Sequence, residues 1–479
     1  MAASTGSGNY DAVVQAYNAN TFATISSGDT VTLTDNVTGC NFFKIEAGAT
    51  LVGGGFSITI DNDSSNHSFI NNGTISGVLD VIITNPNGQS NFNANGQGGN
   101  VRNLTVNNSG AVVTLYNEDQ TLDGDLTITA GQLTTNDGSA DRGLTVTKAC
   151  DVGTAGTLNL NGSTVSLGTI NVGNGASASM TFSSATTTIT LNPNSTHPTW
   201  GFSLGAAATV NFNSGTIKFA KVDSGTRYLQ MGGQGVHVLN DVIIDTNHSI
   251  PWASHFEAAS LDIQDGNLNS YGGSDGITIT GPLTVGNGSD AAALTYTSDS
   301  NGFHDQSFGG IKLLNNGTLD GSNQTMTVTN RYTGESHLWK NDGGTFNHNN
   351  GTVKFNDNDN SIVKENTFYN VEVESNLGDY AVSFEAQGGG GNPFTILNDL
   401  TITRGDFELV NANDTCDIHG KTIINGSSNS AARFNNDKNQ TATITHHGPV
   451  EIYTGTYHVE DGGSVKILGG FRNIGGVVD

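Results

Sequence analysis

Apolar and polar residues alternate along most of this chain, in short runs that are closed by Gly, Asn or Asp. The most regular runs are residues 156–160 (Gly-Thr-Leu-Asn-Leu) and 168–172 (Gly-Thr-Ile-Asn-Val). A period of two between turn residues is typical of half-buried β-strands joined by tight turns. The pattern therefore predicts an all-β protein.

The same order of runs recurs along the chain with loops of different length. Residues 211–219 (Asn-Phe-Asn-Ser-Gly-Thr-Ile-Lys-Phe) return at 347–355 as Asn-His-Asn-Asn-Gly-Thr-Val-Lys-Phe, and Gly131, Gly266 and Gly405 close three further matching runs. Constant order with variable loops is typical of stacked repeats. Long repeats of about 137 residues are predicted at roughly 75–200, 201–340 and 341–479.

Within the third long repeat, the strands follow one another at the spacing of a β-solenoid. Its coils are expected to hold roughly 20 to 25 residues each. We see no linker or shift of composition that would divide the chain, so one elongated body is predicted. The residues expected to point into its core are Val353, Phe355, Phe368, Val371, Leu400, Ile402 and Ile423.

One short helix is predicted near the N-terminus, over residues 11–20. Asp11 is a suitable N-cap, and Val13, Val14 and Tyr17 fall on one face. Such a helix would cover the apolar section and the unpaired strands at the end of a solenoid. The predicted organisation is an N-terminal segment with a capping helix, 1–29, and a solenoid, 30–479.

Charge and cysteine content narrow the function. The 479 residues include 44 acidic and 18 basic ones, and the formal net charge is −26. A nucleic-acid partner needs a basic surface, so nucleic acid is not expected, and an anionic membrane surface is disfavoured for the same reason. Cys40, Cys150 and Cys416 are widely spaced and odd in number, which predicts neither a disulfide framework nor a metal knuckle.

Targeting segments are not apparent. The first ten residues contain neither a basic region nor an apolar stretch, and no run approaches the roughly 18 apolar residues of a membrane helix. We therefore expect no signal peptide and no transmembrane segment.

The repeat motif carries a resemblance. The run Gly-Thr-Phe-(x)3-Asn-Gly-Thr-Val-Lys-Phe at 344–355 is followed by Phe-Tyr-Asn-Val-Glu-Val at 368–373 and Asp-Leu-Thr-Ile-Thr-Arg-Gly at 399–405. It resembles repeats of bacterial surface adhesins and of virion-associated structural proteins of marine phages, over roughly residues 100–430. In both groups such repeats imply a right-handed parallel β-helix.

The resemblance also implies a function. A chain without an export signal that is built like an external fibre fits a phage particle, assembled in the host cytoplasm and released by lysis. We therefore expect a structural virion protein, a fibre, spike or decoration that acts as a rigid rod and presents loops. Expected partners are other virion proteins, a host surface polysaccharide or receptor, and further copies in a homotrimer. The alternatives are a tailspike-like polysaccharide depolymerase and a bacterial surface adhesin.

Three irregular inserts, at residues 197–200, 252–255 and 337–339, each contain one of the three tryptophans. Trp beside polar groups can stack on a sugar ring, whereas the alternative is that these large side chains pack on the solenoid or on a neighbouring subunit. Whether the chain is an enzyme stays open: a polysaccharide lyase or glycoside hydrolase needs converging carboxylates, and nothing orders these residues into catalytic roles. The candidate binding residues are Trp200, Trp252, His255, Glu257, Glu335, His337 and Trp339.

Two oxygen-rich turns, residues 61–63 and 356–360, raise the question of calcium. Asn and Asp are also the usual residues of metal-free turns, and the spacing of an EF-hand is absent. No metal ligand is therefore assigned and no cofactor is expected, with calcium as the alternative left open.

Overall fold

The computed structural model shows an all-β protein whose parallel strands stack into a β-solenoid of about 16 turns. By its internal contacts the chain forms two compact units, Met1–Asp241 and Val242–Asp479. The structure describes residues 2–14, 21–61, 67–85, 88–182, 188–191, 200–220, 228–230, 237–270, 276–295, 306–357, 361–365, 367–375, 383–387, 393–409, 415–435, 442–459 and 464–479.

Within the described residues, the first unit contains strands β1 to β22 and one helical turn. These elements are β1 Ala2–Ala3, β2 Gly8–Asn9, α1 Tyr10–Val13, β3 Thr21–Ile25, β4 Thr30–Thr32, β5 Val37–Ile45, β6 Thr50–Val52, β7 Ser57–Ile60, β8 His67–Asn71, β9 Thr74–Ser76, β10 Asp80–Ile83, β11 Gly88–Asn93, β12 Asn103–Leu115, β13 Gln120–Leu122, β14 Leu126–Thr134, β15 Leu144–Asn161, β16 Thr164–Val172, β17 Ser179–Phe182, β18 Thr188–Leu191, β19 Trp200–Leu204, β20 Thr209–Asn211, β21 Thr216–Phe219 and β22 Tyr228–Gln230.

Strand β23, Leu239–Trp252, contains the boundary residues, and the second unit continues to β49. Its strands are β24 Phe256–Ser270, β25 Ile277–Ile279, β26 Leu283–Val285, β27 Ala292–Thr295, β28 Gln306–Phe308, β29 Ile311–Leu314, β30 Gly317–Asp320, β31 Thr325–Val328, β32 His337–Asp342, β33 Thr345–Asn347, β34 Thr352–Phe355, β35 Ser361–Lys364, β36 Thr367–Phe368, β37 Asn370–Glu374, β38 Ser383–Gln387, β39 Phe394–Ile396, β40 Leu400–Leu409, β41 Thr415–Ile418, β42 Thr422–Asn425, β43 Ala432–Asn435, β44 Thr443–His446, β45 Val450–Thr454, β46 Thr456–His458, β47 Ser464–Ile467, β48 Phe471–Asn473 and β49 Val477–Val478.

Each unit is built from parallel ladders in which a strand pairs with its counterparts one turn before and one turn after. In the second unit, one ladder runs β24, β26, β29, β32, β35, β38, β40, β43, β46 and β49. Another runs β24, β25, β28, β31, β34, β37, β40, β42, β45 and β48. The third side consists of β24, β27, β30 and β33, and then of β36, β39, β41, β44 and β47.

The first unit follows the same plan. One ladder runs from β5 through β7, β10, β12, β14, β15, β16 and β19 to β22. A second starts at β1 and continues through β3, β5, β8, β11, β12, β14, β15 and β17 to β20. Because β1 and β2 already pair with β3 and β4, the ladders begin before residue 30.

The core consists of side chains that point inward from every second residue of the strands and stack from one turn to the next. Val353 is the ladder partner of Val371, and Val371 is the partner of Leu400, as the repeat spacing predicts. These three side chains, together with Phe355, Phe368 and Ile402, are buried. Turn length varies more than expected, from 18 residues between Val353 and Val371 to 32 between Ile170 and Phe202.

The prediction for Ile423 is wrong by one position. Leu400 is paired with Thr422, so Ile423 lies level with Thr401 and is half-exposed, whereas Thr422 and Ile424 are buried. A shift of one residue exchanges the two faces of a strand. Thr422 tolerates the interior because its hydroxyl has a partner, the Nδ1 atom of His446 at 2.8 Å.

The predicted N-terminal capping helix over residues 11–20 is also wrong. The chain forms one helical turn, Tyr10–Val13, which ends at Val14 in extended backbone, and residues 15–20 lie outside the described part. Four residues are too few for a stable helix by themselves. Tyr10 and Val14 are nevertheless buried, so apolar side chains of this turn cover the start of the first unit.

The Asn-Gly-Thr motif of the repeats marks a turn in close contact with its neighbour. Asn349 and Asn350 adopt left-handed backbone, with φ of 49° and 61°. A Cβ atom on Gly351 would lie 1.8 Å from the carbonyl oxygen of Ser322 in the preceding turn. Only glycine fits so close an approach, which explains why the motif recurs.

Candidate functional site

The insert that contains Trp252 begins in a regular strand. Trp252 is the last residue of β23, where Ile250 and Trp252 both point inward, and its indole is fully buried. Its ring centroid lies 6.4 Å from that of Phe256 in a tilted arrangement. For this residue the structure favours the alternative of packing within the solenoid.

His255 and Glu257 lie beside Trp252 in sequence but not in the core. Phe256 and Ala258 point inward, so Glu257 between them faces outward, level with Thr278 of the next turn. The Nε2 atom of His255 is 3.3 Å from the Thr278 hydroxyl. Since the Trp252 indole is enclosed, these polar groups do not share a surface site with it.

The insert that contains Trp339 also contributes its tryptophan to the core. Trp339 lies in β32 and is fully buried, with its ring packed edge-on against Phe346 at 4.7 Å and Phe368 at 5.3 Å. Its indole N–H donates to the Oε2 atom of Glu365 at 3.2 Å, and the amide of Asn341 donates to the same carboxylate at 3.0 Å. This hydrogen bonding lets a carboxylate lie inside the solenoid.

On the outward face of β32 and of its neighbours in the ladder, charged side chains form a column. Lys312, Lys340 and Lys364 occupy the same outward position on three successive turns of one ladder. Glu335 accepts hydrogen bonds from Lys312 at 2.7 Å and from Lys340 at 2.8 Å. Asp342 accepts from Lys364 at 2.8 Å and lies 3.5 Å from the Lys340 ammonium.

The carboxylates offset the repulsion between lysines, which ladder spacing sets about 4.8 Å apart. The loop before β32 brings Glu335 into place, because Tyr332 donates its backbone N–H to the His337 carbonyl and forms a 2.8 Å hydrogen bond to the Thr284 hydroxyl. The Lys312 ammonium lies 5.2 Å from the centroid of the Tyr332 ring. The column is therefore built by several turns together.

These contacts determine the protonation of the candidate residues. The pKa of Glu335 is lowered, because Lys312 and then Lys340 donate hydrogen bonds to its carboxylate. The pKa of His337 is lowered chiefly by burial and then by the nearby charge of Lys340, although Glu335 lies 3.6 Å away. At neutral pH Glu335 is thus an anion and His337 is uncharged.

The remaining candidates lie at or beyond the limits of the described chain. Trp200 begins β19, but its side chain and residues 192–199 are outside the described residues. The two turns considered for calcium include residues 62, 63 and 358–360, which are also outside them. Among the residues that are described, no group of three or more His, Cys, Asp or Glu side chains is arranged to hold a metal ion.

One polar cluster was missed by the sequence analysis. His446 is fully buried, and its two ring nitrogens lie 2.8 Å from the Thr422 hydroxyl and 3.0 Å from the Tyr457 hydroxyl. Burial lowers the pKa of His446 to about 4. The alternation Ile444, Thr445, His446 already places this histidine on the inward face, so the period of two was the signal that could have found it.

The three cysteines are buried free thiols. Burial raises the pKa of Cys40 to about 12 and also raises the pKa values of Cys150 and Cys416. A thiol that stays protonated is a poor nucleophile. These cysteines therefore belong to the core rather than to a reactive site.

Comparison with known proteins gives no further identification. No protein-family model matches this chain, and neither does any curated protein or any solved structure. No helix in the described part of the chain is long and apolar enough to cross a membrane.

Proposed function

We propose that this chain is a structural protein of a phage particle, a fibre, spike or decoration whose stiff β-solenoid presents loops for attachment. The observation that carries the proposal is how the candidate residues are used. Trp252 and Trp339 are enclosed in the core, and Glu335 is bound by two lysines of the ladder. Side chains that stabilise successive turns are what a scaffold requires.

The geometry around Glu335 and Trp339 favours a structural role over that of a polysaccharide depolymerase. A glycosidase needs a general acid whose pKa is raised toward neutrality, together with a second carboxylate. The pKa of Glu335 is lowered instead, through its two lysine contacts. A buried indole such as that of Trp339 also offers no face on which a sugar ring can stack.

The assignment to a phage rests on a resemblance, over roughly residues 100–430, to repeats of virion structural proteins of marine phages, a resemblance that bacterial surface adhesins share. It implies other virion proteins and a host polysaccharide or receptor as partners, and three copies in the assembled fibre. We also propose that the turns wind right-handedly, as parallel crossovers between strands nearly always do.

The proposal is tested by asking where the protein resides. Particles from a lysate of the source are purified on a density gradient, and their proteins are compared with those of the cell envelope by mass spectrometry. We expect peptides of this chain in the particle fraction, at a constant ratio to the major capsid protein. Peptides found in the envelope and missing from the particles would instead indicate a bacterial adhesin.

A further inference from the structure

Four large side chains lie on successive turns at the outer surface of the second unit, on the side formed by β36, β39, β41 and β44. Each follows the last inward residue of its strand, and the four, here called the ridge, are Tyr369, Leu397, His419 and His447. The inward residues before them are buried and pair in register from turn to turn: Phe368, Ile396, Ile418 and His446. Neighbouring ridge residues are therefore one turn apart, about 4.8 Å along the ladder.

The rings of the ridge stack along this ladder. The imidazoles of His419 and His447 are exposed and nearly parallel, with planes at 3° and centroids 4.5 Å apart. The ring of Tyr369 stacks in the same way on His348, one turn earlier, with centroids 5.6 Å apart. Rings that stack on one another turn their edges outward, and the edges carry the imidazole nitrogens and the phenol hydroxyl. The ridge thus presents hydrogen-bonding atoms to solvent.

A second column runs beside the ridge, two residues earlier in each strand. Its members are half-exposed and pair in register: Thr367, Thr395, Asp417 and Thr445. Residues i and i+2 of a strand point to the same face, about 6.6 Å apart. The Oδ1 atom of Asp417, for example, lies 3.5 Å from the Nε2 atom of His447. Every turn of this surface therefore offers a hydroxyl or a carboxylate next to a ridge residue.

The chemistry of the two columns narrows the kind of partner. Asp417 is their one acidic residue, none is a lysine or arginine, and Leu397 is the one purely apolar side chain. A protein interface is usually apolar at its centre, and nucleic acid requires a basic surface, so neither fits. A polysaccharide fits better, because its hydroxyls both donate and accept hydrogen bonds. In an extended chain each sugar residue also adds about the length of one turn.

We propose that the ridge binds a neutral polysaccharide in an extended conformation, laid along the turns so that each sugar residue meets one of them. Its hydroxyls bond to the ring nitrogens of His419 and His447 and to the Tyr369 hydroxyl. Leu397, which is 41% exposed, packs against the C–H groups of a sugar ring. A neutral ligand avoids repulsion by a chain whose formal net charge is −26. The choice of a polysaccharide rests on the proposed function, which includes a host polysaccharide as partner, and the ridge gives that partner a place on the chain.

Variants that keep a ring and remove its polar atoms test the hydrogen bonds. Polysaccharide extracted from the host surface is immobilised, and binding of the full chain is measured by biolayer interferometry. His419→Phe and His447→Phe should each weaken binding by about three- to tenfold. Tyr453→Phe is the matched control, because it removes the hydroxyl of an exposed tyrosine in β45, on another side of the unit, and should bind like the parent. Circular dichroism establishes that all three variants are folded. Ridge variants that bind like the parent would overturn the proposal.

The length and charge of the ligand give a second test. Fragments of the bound polysaccharide should gain affinity with each added sugar until they span the ridge, and longer fragments should gain little. Binding should also be nearly the same at low and high salt, since a neutral ligand leaves no charges to screen. Disaccharides that bind as tightly as long chains, or binding that high salt abolishes, would contradict an extended neutral ligand.

Failure of this proposal can be told apart from failure of the proposed function. The particle fraction shows whether the chain is a virion protein, and that result does not depend on the ridge. If the chain is in the particles but the parent binds no host polysaccharide, the ridge assignment is wrong and the structural role stands. A chain that is missing from the particles but binds through the ridge would support the ridge and refute the virion assignment. If His419→Phe lowers the mass of the parent in sedimentation velocity and leaves polysaccharide binding unchanged, the ridge holds a second copy instead.

Discussion

Val371→Asp is the substitution that most clearly separates an inward from an outward position. Val371 is 1% exposed and lies between Val353 and Leu400 in the inward column of the second unit. Its neighbour Glu372 points outward on the same strand, where it lies 3.3 Å from the Lys354 ammonium. Two adjacent residues therefore give opposite expectations.

The expected loss follows from burial. Removing a buried valine forfeits about 1.5–3 kcal/mol of hydrophobic stabilisation. Burying a carboxyl group without a hydrogen-bond partner costs about 1–3 kcal/mol more. The sum, about 2.5–6 kcal/mol, is a large part of the stability of a typical domain, which is about 5–15 kcal/mol. In a solenoid this loss of stability weakens the contacts of one turn with its two neighbours. Val371→Asp should therefore unfold the surrounding turns.

The assay is urea denaturation followed by circular dichroism and tryptophan fluorescence. We expect the midpoint of Val371→Asp to fall far below that of the parent, or a partly unfolded protein without denaturant. Glu372→Ala is the control and should cost no more than about 1 kcal/mol, since it removes a surface ion pair. If both variants are as stable as the parent, the inward assignment of Val371 is wrong.

Further expectations concern pH, the buried carboxylate and activity. Because the folded pKa of His446 is about 4, below its ordinary 6.5, stability should be intact above pH 6.5 and fall as the pH drops toward 4, by about 3 kcal/mol at most. His446→Gln should abolish this part of the pH dependence in urea titrations, whereas His447→Gln should keep it. Trp339→Phe removes an indole donor from the Glu365 carboxylate and should cost about 2 kcal/mol, and a double-mutant cycle with Glu365→Gln should show coupling. Incubated with host-surface polysaccharide, the chain should release no oligosaccharide, and new reducing ends in that assay would make it an enzyme.

The period of two was sufficient for the fold class and for most of the core. It failed at Ile423 because the run Lys421, Thr422, Ile423, Ile424 offers an isoleucine to each face. In the observed register Ile424 pairs with Ile402, and the buried hydroxyl of Thr422 meets His446, 24 residues further along. Such a partner one turn away cannot be read from the local pattern.

The segments around Trp252 and Trp339 also show what the local sequence pattern fails to indicate. Pro251 follows the alternating part of β23, and Tyr332 to Ser336 precede β32, so both segments look irregular in the sequence. Both indoles are nevertheless buried, and the ladder continues through Trp339, whose N–H has a partner in Glu365. The sequence pattern singled out these two tryptophans but did not indicate which side of the strand they occupy.

Electron cryomicroscopy of the purified particle is the most direct test of the central claim, that this chain is a structural β-solenoid of a virion. The account predicts a particle component with parallel strands stacked at about 4.8 Å, into which the described residues fit with Trp252 and Trp339 in the core. Particles whose every component is accounted for by other proteins would contradict it, as would a fitted chain whose Trp339 and Glu335 contact a bound glycan.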